Sequence, residues 1–218
     1  MTIQQLIDLA KKTELKNAAL VREDTDAILG YINLALIEIY KRFPLQTDEV
    51  IITLGSDGDL NHPYTMISDT IYQMPSNYMY LISAYEEIPV DQFYDENTVK
   101  EIPINEEDNF YSVNTVSWNR IQVPATIDGQ YISLIYSVIP TYYSIDDVEE
   151  QLPVPVQMID IILAYIGWKG YSSIDPARPE NAANYQRFEN ACNIAREFGV
   201  FTADDMFMNK RVYDRGFV

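Results

Sequence analysis

The chain has 218 residues, enough for one well-buried core or a core carrying a sizeable insertion. Its 33 acids against 15 bases leave a net charge of −18, which excludes grasping nucleic acid by its phosphates and docking on an anionic membrane, although DNA passing nearby remains compatible with it. Hydrophobic residues at 47%, 17 tyrosines and one cysteine exclude wholesale disorder and an internal disulfide framework, and the tyrosines favour contact surfaces.

Thr2 to Lys12 predicts a short amphipathic helix with Ile3, Leu6, Ile7 and Ala10 on one face, or else a mobile arm. The segment lacks the apolar core of a signal peptide, so an intracellular protein is expected. Asp24 to Phe43 predicts a helix capped by Asp24 or Thr25, with Ile28, Ile32, Ala35, Leu36, Ile39 and Phe43 on the 3.6-residue period. Pro44 ends it. Its other face carries Leu29, Leu34, Ile37 and Tyr40, which predicts cover on more than one side.

From Asp48 to Pro140 the period changes to that of strands divided by turn residues. Strands are expected at Glu49 to Leu54, Tyr64 to Ile67, Thr70 to Met74, Tyr78 to Tyr85, Arg120 to Pro124 and Tyr131 to Ile139. Gly55 to Asp59 is a tight turn suited to left-handed conformations, Pro75 to Asn77 is a corner, and Asp128-Gly129 signals a hairpin. Asp91 to Asp108 is acidic and poorly patterned, which predicts an exposed connection with a short strand at Val99 to Ile104.

Leu152 to Ser173 organises the rest. Pro153 and Pro155 cannot lie inside a helix, but a proline fits its first turn, so a helix starting near Pro155 is expected. Met158, Ile162, Tyr165 and Ile166 form one apolar stripe, and Ile161, Ala164, Trp168 and Tyr171 form a second. A helix apolar on every side must be covered on every side, and the second stripe predicts a neighbouring subunit. Ala164, Gly167 and Gly170 fall at three-residue steps that admit another backbone. Ile161, Ala164, Gly167, Trp168, Gly170 and Tyr171, with Leu29, Ile37 and Tyr40 of the earlier helix, are therefore the candidate subunit interface. Asp160 and Lys169 bracket too short an apolar run to cross a membrane.

Asn181 to Phe198 predicts the last helix, with Ala183, Phe188, Ala191, Cys192, Ala195 and Phe198 on its inner face and Gly199 as its cap. Beyond it, Phe201 to Val218 balances three bases against three acids, the composition of a docking peptide. The order of elements predicts an α+β fold: a helical body from 1–45 and 145–200, a central antiparallel β insertion at 46–144, and an extended C-terminal tail at 201–218.

No residue pattern selects an enzyme. His62 is the only histidine and sits in a loop beside Pro63. Cys192 lies on a predicted inner face, where a small buried core residue is the ordinary reading. Asp57, Asp59 and Asn61 imitate the start of a calcium loop, but the sixth position is His62 rather than Gly and the twelfth is Ser68 rather than Glu. Glu86-Glu87, Glu106 to Asp108 and Asp146 to Glu150 look like solvated faces, and no pair stands out as catalytic. Trp118 and Tyr111 are read as strand packing in preference to a base- or sugar-stacking platform. Neither a metal nor a cofactor is expected.

These residues resemble a known family, the head-to-tail connector proteins of tailed phages, also called adaptor, ring or tail tubular proteins, chiefly of the short-tailed type. Asn33-Leu34-Ala35-Leu36 followed by Tyr40 and Phe43 is similar to that family's first core helix. Leu152-Pro153 before Ile161-Ile162-Leu163-Ala164-Tyr165 resembles its long apolar helix. The resemblance implies a structural virion protein at the head-tail junction, without catalysis. It implies a ring of copies, commonly twelve, under the portal, meeting further tail proteins and passing the genome through without binding it. It implies that the tail docks on the portal, with Phe207, Arg211, Tyr213, Arg215 and Phe217 as anchors. An acidic α+β binding module, another virion protein or a carbohydrate-recognising domain, is the alternative, and a carboxylate hydrolase comes third.

Overall fold

Helix α1 (Ile3–Lys12) opens on a capping box: the Gln5 amide donates to Thr2 Oγ1 and the Thr2 amide to Gln5 Oε1, so two orphan donors of the first turn are satisfied reciprocally. Its apolar face, Ile3, Leu6, Ile7 and Ala10, is buried. Main-chain bonds from Ile3 to the Glu150 carbonyl (3.0 Å), Gln4 to Val148 (2.8 Å) and Leu152 to Met1 (3.1 Å) fix it in place, so it is not an arm. The computed structural model describes residues 1–59, 63–87, 99–106, 108–125, 127, 131–177 and 179–197.

A short helix α2 (Ala19–Arg22), not expected from periodicity, leads to α3 (Thr25–Arg42). Asp24 caps α3 by accepting from the Ala27 amide at 2.9 Å. The helix stops because Phe43 precedes Pro44, and a residue before proline is pushed out of the helical region; Phe43 is extended, at φ −136° and ψ 124°. The apolar helix α4 (Ile159–Ile174) follows a single 3-10 turn at Val156–Met158, so it begins a turn later than Pro155 suggests. Helix α5 (Pro179–Glu197) places Pro179 in its first turn, where its missing N–H is no loss.

These helices share one core. Leu6 and Ile7 of α1, Ile28, Ile32, Leu36 and Ile39 of α3, Ile162 and Ile166 of α4 and Phe188 and Cys192 of α5 are all buried in it. Each large side chain contributes about 1.5–3 kcal/mol by leaving water. Ala183, expected on the inner face of α5, is exposed.

The residues between form a second unit. The chain divides into Met1–Leu45 with the segment from Pro140 onward, and Gln46–Ile139. The second unit holds β1 (Thr47–Thr53), β2 (Thr65–Ser68), β3 (Ile71–Gln73), β4 (Tyr78–Glu87), β5 (Val99–Ile102), β6 (Asn114–Ser117), β7 (Arg120–Gln122) and β8 (Tyr131–Val138). They make two four-stranded antiparallel sheets, ordered β1-β8-β4-β5 and β2-β3-β7-β6. Both contribute to one apolar core, with Val50, Ile52, Ile132 and Leu134 from the first and Tyr72 and Ile121 from the second. The incoming strand β1 and the outgoing strand β8 pair along their whole length, from Thr47 opposite Ser137 to Thr53 opposite Tyr131. Gly55 turns the chain after β1 with φ +76°, a conformation that favours glycine. The architecture is α+β. The expected hairpin at Asp128-Gly129 and the cap at Gly199 lie outside the described residues.

Candidate interaction surfaces

Helix α4 is enclosed by its own chain. It packs on α1, α3 and α5, and Ile161, Ala164, Gly167, Gly170 and Tyr171 of the candidate interface are buried in that packing. Leu29 and Tyr40 of α3 are buried as well, and Tyr40 Oη donates to the Pro153 carbonyl at 3.3 Å. The glycines admit side chains of this chain and not a foreign backbone. A Cβ on Gly170 would stand 2.5 Å from Leu15 Cδ2, and one on Gly167 would stand 3.0 Å from Asn184 Nδ2 and 3.3 Å from Glu14 Oε2. Of the expected interface, only Trp168 and Ile37 are partly exposed.

Trp168 belongs to an aromatic cluster with Tyr165, Tyr185 and Phe188, its ring 4.8 Å from Tyr185 and 5.3 Å from Tyr165 between centroids. Lys169 Nζ lies 3.8 Å from the Trp168 ring centre, a cation–π contact. Burial pushes the Tyr165 hydroxyl up to about 12, with Glu38 adding to the effect and Arg42 opposing it. Helix α5 is fastened by two arginines. Arg42 makes a bidentate pair with Glu189 (2.8 and 2.9 Å) and lies over the Phe188 ring; Arg187 bonds Glu14 at 2.9 Å and also Asp160.

The acids and the cysteine singled out from the sequence make the following contacts. Cys192 is buried, and burial raises its thiol pKa, the reverse of what a nucleophile needs. Asp57 accepts from the Met66 amide at 2.8 Å; the candidate loop's Asn61 and His62 lie outside the described residues. Glu86 is not on a solvated face: it is 2% exposed and accepts from the Tyr111 hydroxyl, whose ring carries Lys100 Nζ at 3.9 Å. Glu106 accepts from Asn109 at 2.7 Å, and Asp147 caps the 3-10 turn at Ile145–Asp147 by accepting from Ser144. Among the described residues, no group of three or more His, Cys, Asp or Glu could hold a metal ion, and no helix is long and apolar enough to cross a membrane.

Among the charged residues of the surface, several large apolar side chains also point outward. In the β unit, the loop between β5 and β6 is braced by its own side chains. Asn105 (φ 51°) exchanges bonds with Thr115, and Ser112 accepts from the Glu106 amide and donates to the Pro103 carbonyl. Its middle displays Phe110, 91% exposed, beside an open depression lined by Asn105, Glu106, Asp108, Asn109, Asn114 and Thr115. The turn between β6 and β7 displays Trp118, 74% exposed, so the packing expected of it is not found. Tyr111, its expected companion, is half-buried and engaged with Glu86. In the helical unit, Leu34 of α3 and Ile194 of α5 stand exposed. The bracing leaves the exposed ring on a loop with little conformational freedom to lose. The portal-docking candidates Phe207, Arg211, Tyr213, Arg215 and Phe217 lie outside the described residues.

In comparison with known families, residues 1–209 fit the model described as SU10 adaptor protein. No curated protein matches the chain.

Proposed function

The chain belongs to the SU10 adaptor protein family, a family of phage head-to-tail adaptors, and from that premise we propose that it is the subunit of a ring that joins the portal to the tail and surrounds the path of the genome. The match over residues 1–209 carries this reading. Its action is geometric. Copies stand side by side through the helical unit, the β unit offers Phe110 and Trp118 to the next tail component, and the segment 201–218 engages the portal through Phe207, Arg211, Tyr213, Arg215 and Phe217. A net charge of −18 per subunit suits a wall past which DNA phosphates slide without sticking. Twelve copies is the expected number. The test is native mass and negative-stain imaging of the purified chain, alone and mixed with its portal protein. Closed rings with a central hole wide enough for a duplex are expected in at least one condition. A chain that stays monomeric in both would overturn the reading.

A further inference from the structure

We propose that helix α5 is a releasable strap: charged and polar contacts hold it to the helical unit, and it opens as one piece while α1, α3 and α4 stay folded. The inference concerns the single chain and does not depend on the ring reading.

Burial is shared unevenly among the helices. Helix α3 buries eight of its 18 residues and α4 ten of its 16, whereas α5 buries Phe188 and Cys192 out of 19. Ala191 and Ala195 of α5 pack against the same core but bring one methyl group each. The other buried residues of that core come from segments outside α5. Opening α5 therefore removes two buried side chains and the ring of Phe188 that lies 5.2 Å from Tyr165, and it leaves the packing among α1, α3 and α4 in place. An element with few buried apolar contacts opens at a lower cost than the whole fold.

What holds α5 is largely polar. Glu189 pairs with Arg42 at 2.8 Å, Arg187 pairs with Glu14 at 2.9 Å and also with Asp160, and Asn181 Oδ1 accepts from Ser172 Oγ at 2.5 Å. The Arg42 and Glu189 side chains are 26% and 27% exposed and Arg187 is 39% exposed, so dissolved ions reach these pairs and screen them. The largest aromatic contact at the outer side, Tyr185 against Trp168 at 4.8 Å between centroids, is also within reach of water, with Tyr185 44% exposed. Once released, α5 has little to keep it helical. Asn181, Asn184, Asn190 and Asn193 are weak helix formers, and most helical stability in a protein comes from packing. Release would then turn a helix of about 28 Å into a chain that spans up to about 63 Å. In the ring proposed above, that length would extend the reach of the segment 201–218 that follows.

The test is native-state hydrogen exchange on the full-length chain. The amides of Phe188 to Cys192, at the buried centre of α5 and away from its fraying ends, are expected to exchange at least about a hundredfold faster than the slowest amides of Ile32 to Ile39 in α3, and with a shallower dependence on added urea. Cys192, the one cysteine of the chain and buried, gives a second probe, because a thiol reagent can reach it only when α5 opens. Raising sodium chloride to about 0.5 M, or the substitution Arg187→Gln, should each speed both α5 probes about threefold or more and leave the slowest α3 amides unchanged. Equal rates and equal urea slopes in α5 and α3 would overturn the proposal, since α5 would then leave only when the whole unit unfolds. Opening that ignores both salt and Arg187→Gln would overturn it as well, since the strap would then be held by its apolar contacts. These readouts come from the isolated chain, so they stand or fall separately from the imaging that tests the ring.

Discussion

Asn33 is 3% exposed, and both ends of its amide are used: Nδ2 donates to the Tyr143 carbonyl at 2.8 Å and Oδ1 accepts from the Tyr143 amide at 3.0 Å. One side chain thus stands in for a strand partner and holds the returning chain against α3. Leucine has a similar shape but no polar atoms, so Asn33→Leu strands two backbone groups at a buried residue. Each orphaned group costs about 1–3 kcal/mol. With some return from a buried leucine, the helical unit should lose about 2–4 kcal/mol, a large share of a typical stability of about 5–15 kcal/mol. The assay is urea unfolding followed by Trp168 fluorescence in a Trp118→Phe background, since the chain has two tryptophans. Asn33→Asp makes the argument sharper. Its ionised carboxylate would face the Tyr143 carbonyl, which raises its pKa above the unfolded value. The Asp variant should therefore be deficient at neutral pH and recover as the pH falls through that raised value, because the protonated acid can donate as asparagine does. A loss below about 0.5 kcal/mol for the leucine variant, the range of ordinary surface changes, would refute the reasoning.

Gly170→Ala gains about 1 kcal/mol of helix propensity but drives a methyl to within 2.5 Å of the buried Leu15; overpacking of about 1–3 kcal/mol should win, and a raised thermal midpoint would show that Leu15 moves aside. Gly167→Leu should likewise weaken the isolated chain by crowding Asn184 and Glu14. Hydrogen bonding to Arg42 holds the Glu189 carboxyl below its usual range, so the stability gap between wild type and Glu189→Gln should be present above the unfolded carboxylate value of about 4.3 and close as the pH falls through the lower folded value. A gap unchanged at about pH 2 would contradict that linkage. Phe110→Ala and Trp118→Ala should each change stability by no more than about 0.5 kcal/mol in urea unfolding, and a larger loss would mean that these rings pack after all.

The helices were legible because their signals are local. Asp24, the 3.6 period and Pro44 bound α3 within a residue or two, and the full apolar circumference of α4 correctly announces burial on every side. What covers α4 was not legible. Leu15 and Val21, which line the notch at Gly170, sit in a stretch without period, so the sequence suggests a missing subunit where a loop and a four-residue helix do the work. Ala183 departs from its expected inner face through helix phase. It lies five residues from Phe188, about 140° around the helix, and the buried pair Phe188 and Cys192 sets which side faces in. Glu86 resembles any solvated acid because its partner, Tyr111, is 25 residues away. Strand β6 escaped notice because Asn114, Thr115 and Ser117 look like a loop, and burial along it is slight. Exposure is the hardest property to read from sequence, since Phe110 and Trp118 are the residue types that ordinarily fill a core.

The second sheet has its edges partly occupied from within the chain. Its outer strands are β2 and β6, and such edges invite pairing with another chain unless something blunts them. Here Asp57 takes the Met66 amide of β2 at 2.8 Å, Gly58 donates to the Tyr64 carbonyl beside it at 3.1 Å, and Asn105 takes the Thr115 amide of β6 at 2.7 Å. Polar side chains and a turn thus consume backbone groups that an added strand would need. In the ring proposed above, open edges would join copies without regard to its geometry. Among the described residues of the β unit, Phe110 and Trp118 are the exposed aromatic rings. The incoming and outgoing strands of the unit are paired with each other, so the unit's two ends lie side by side. The loops that carry those two rings can then change without disturbing the helical core.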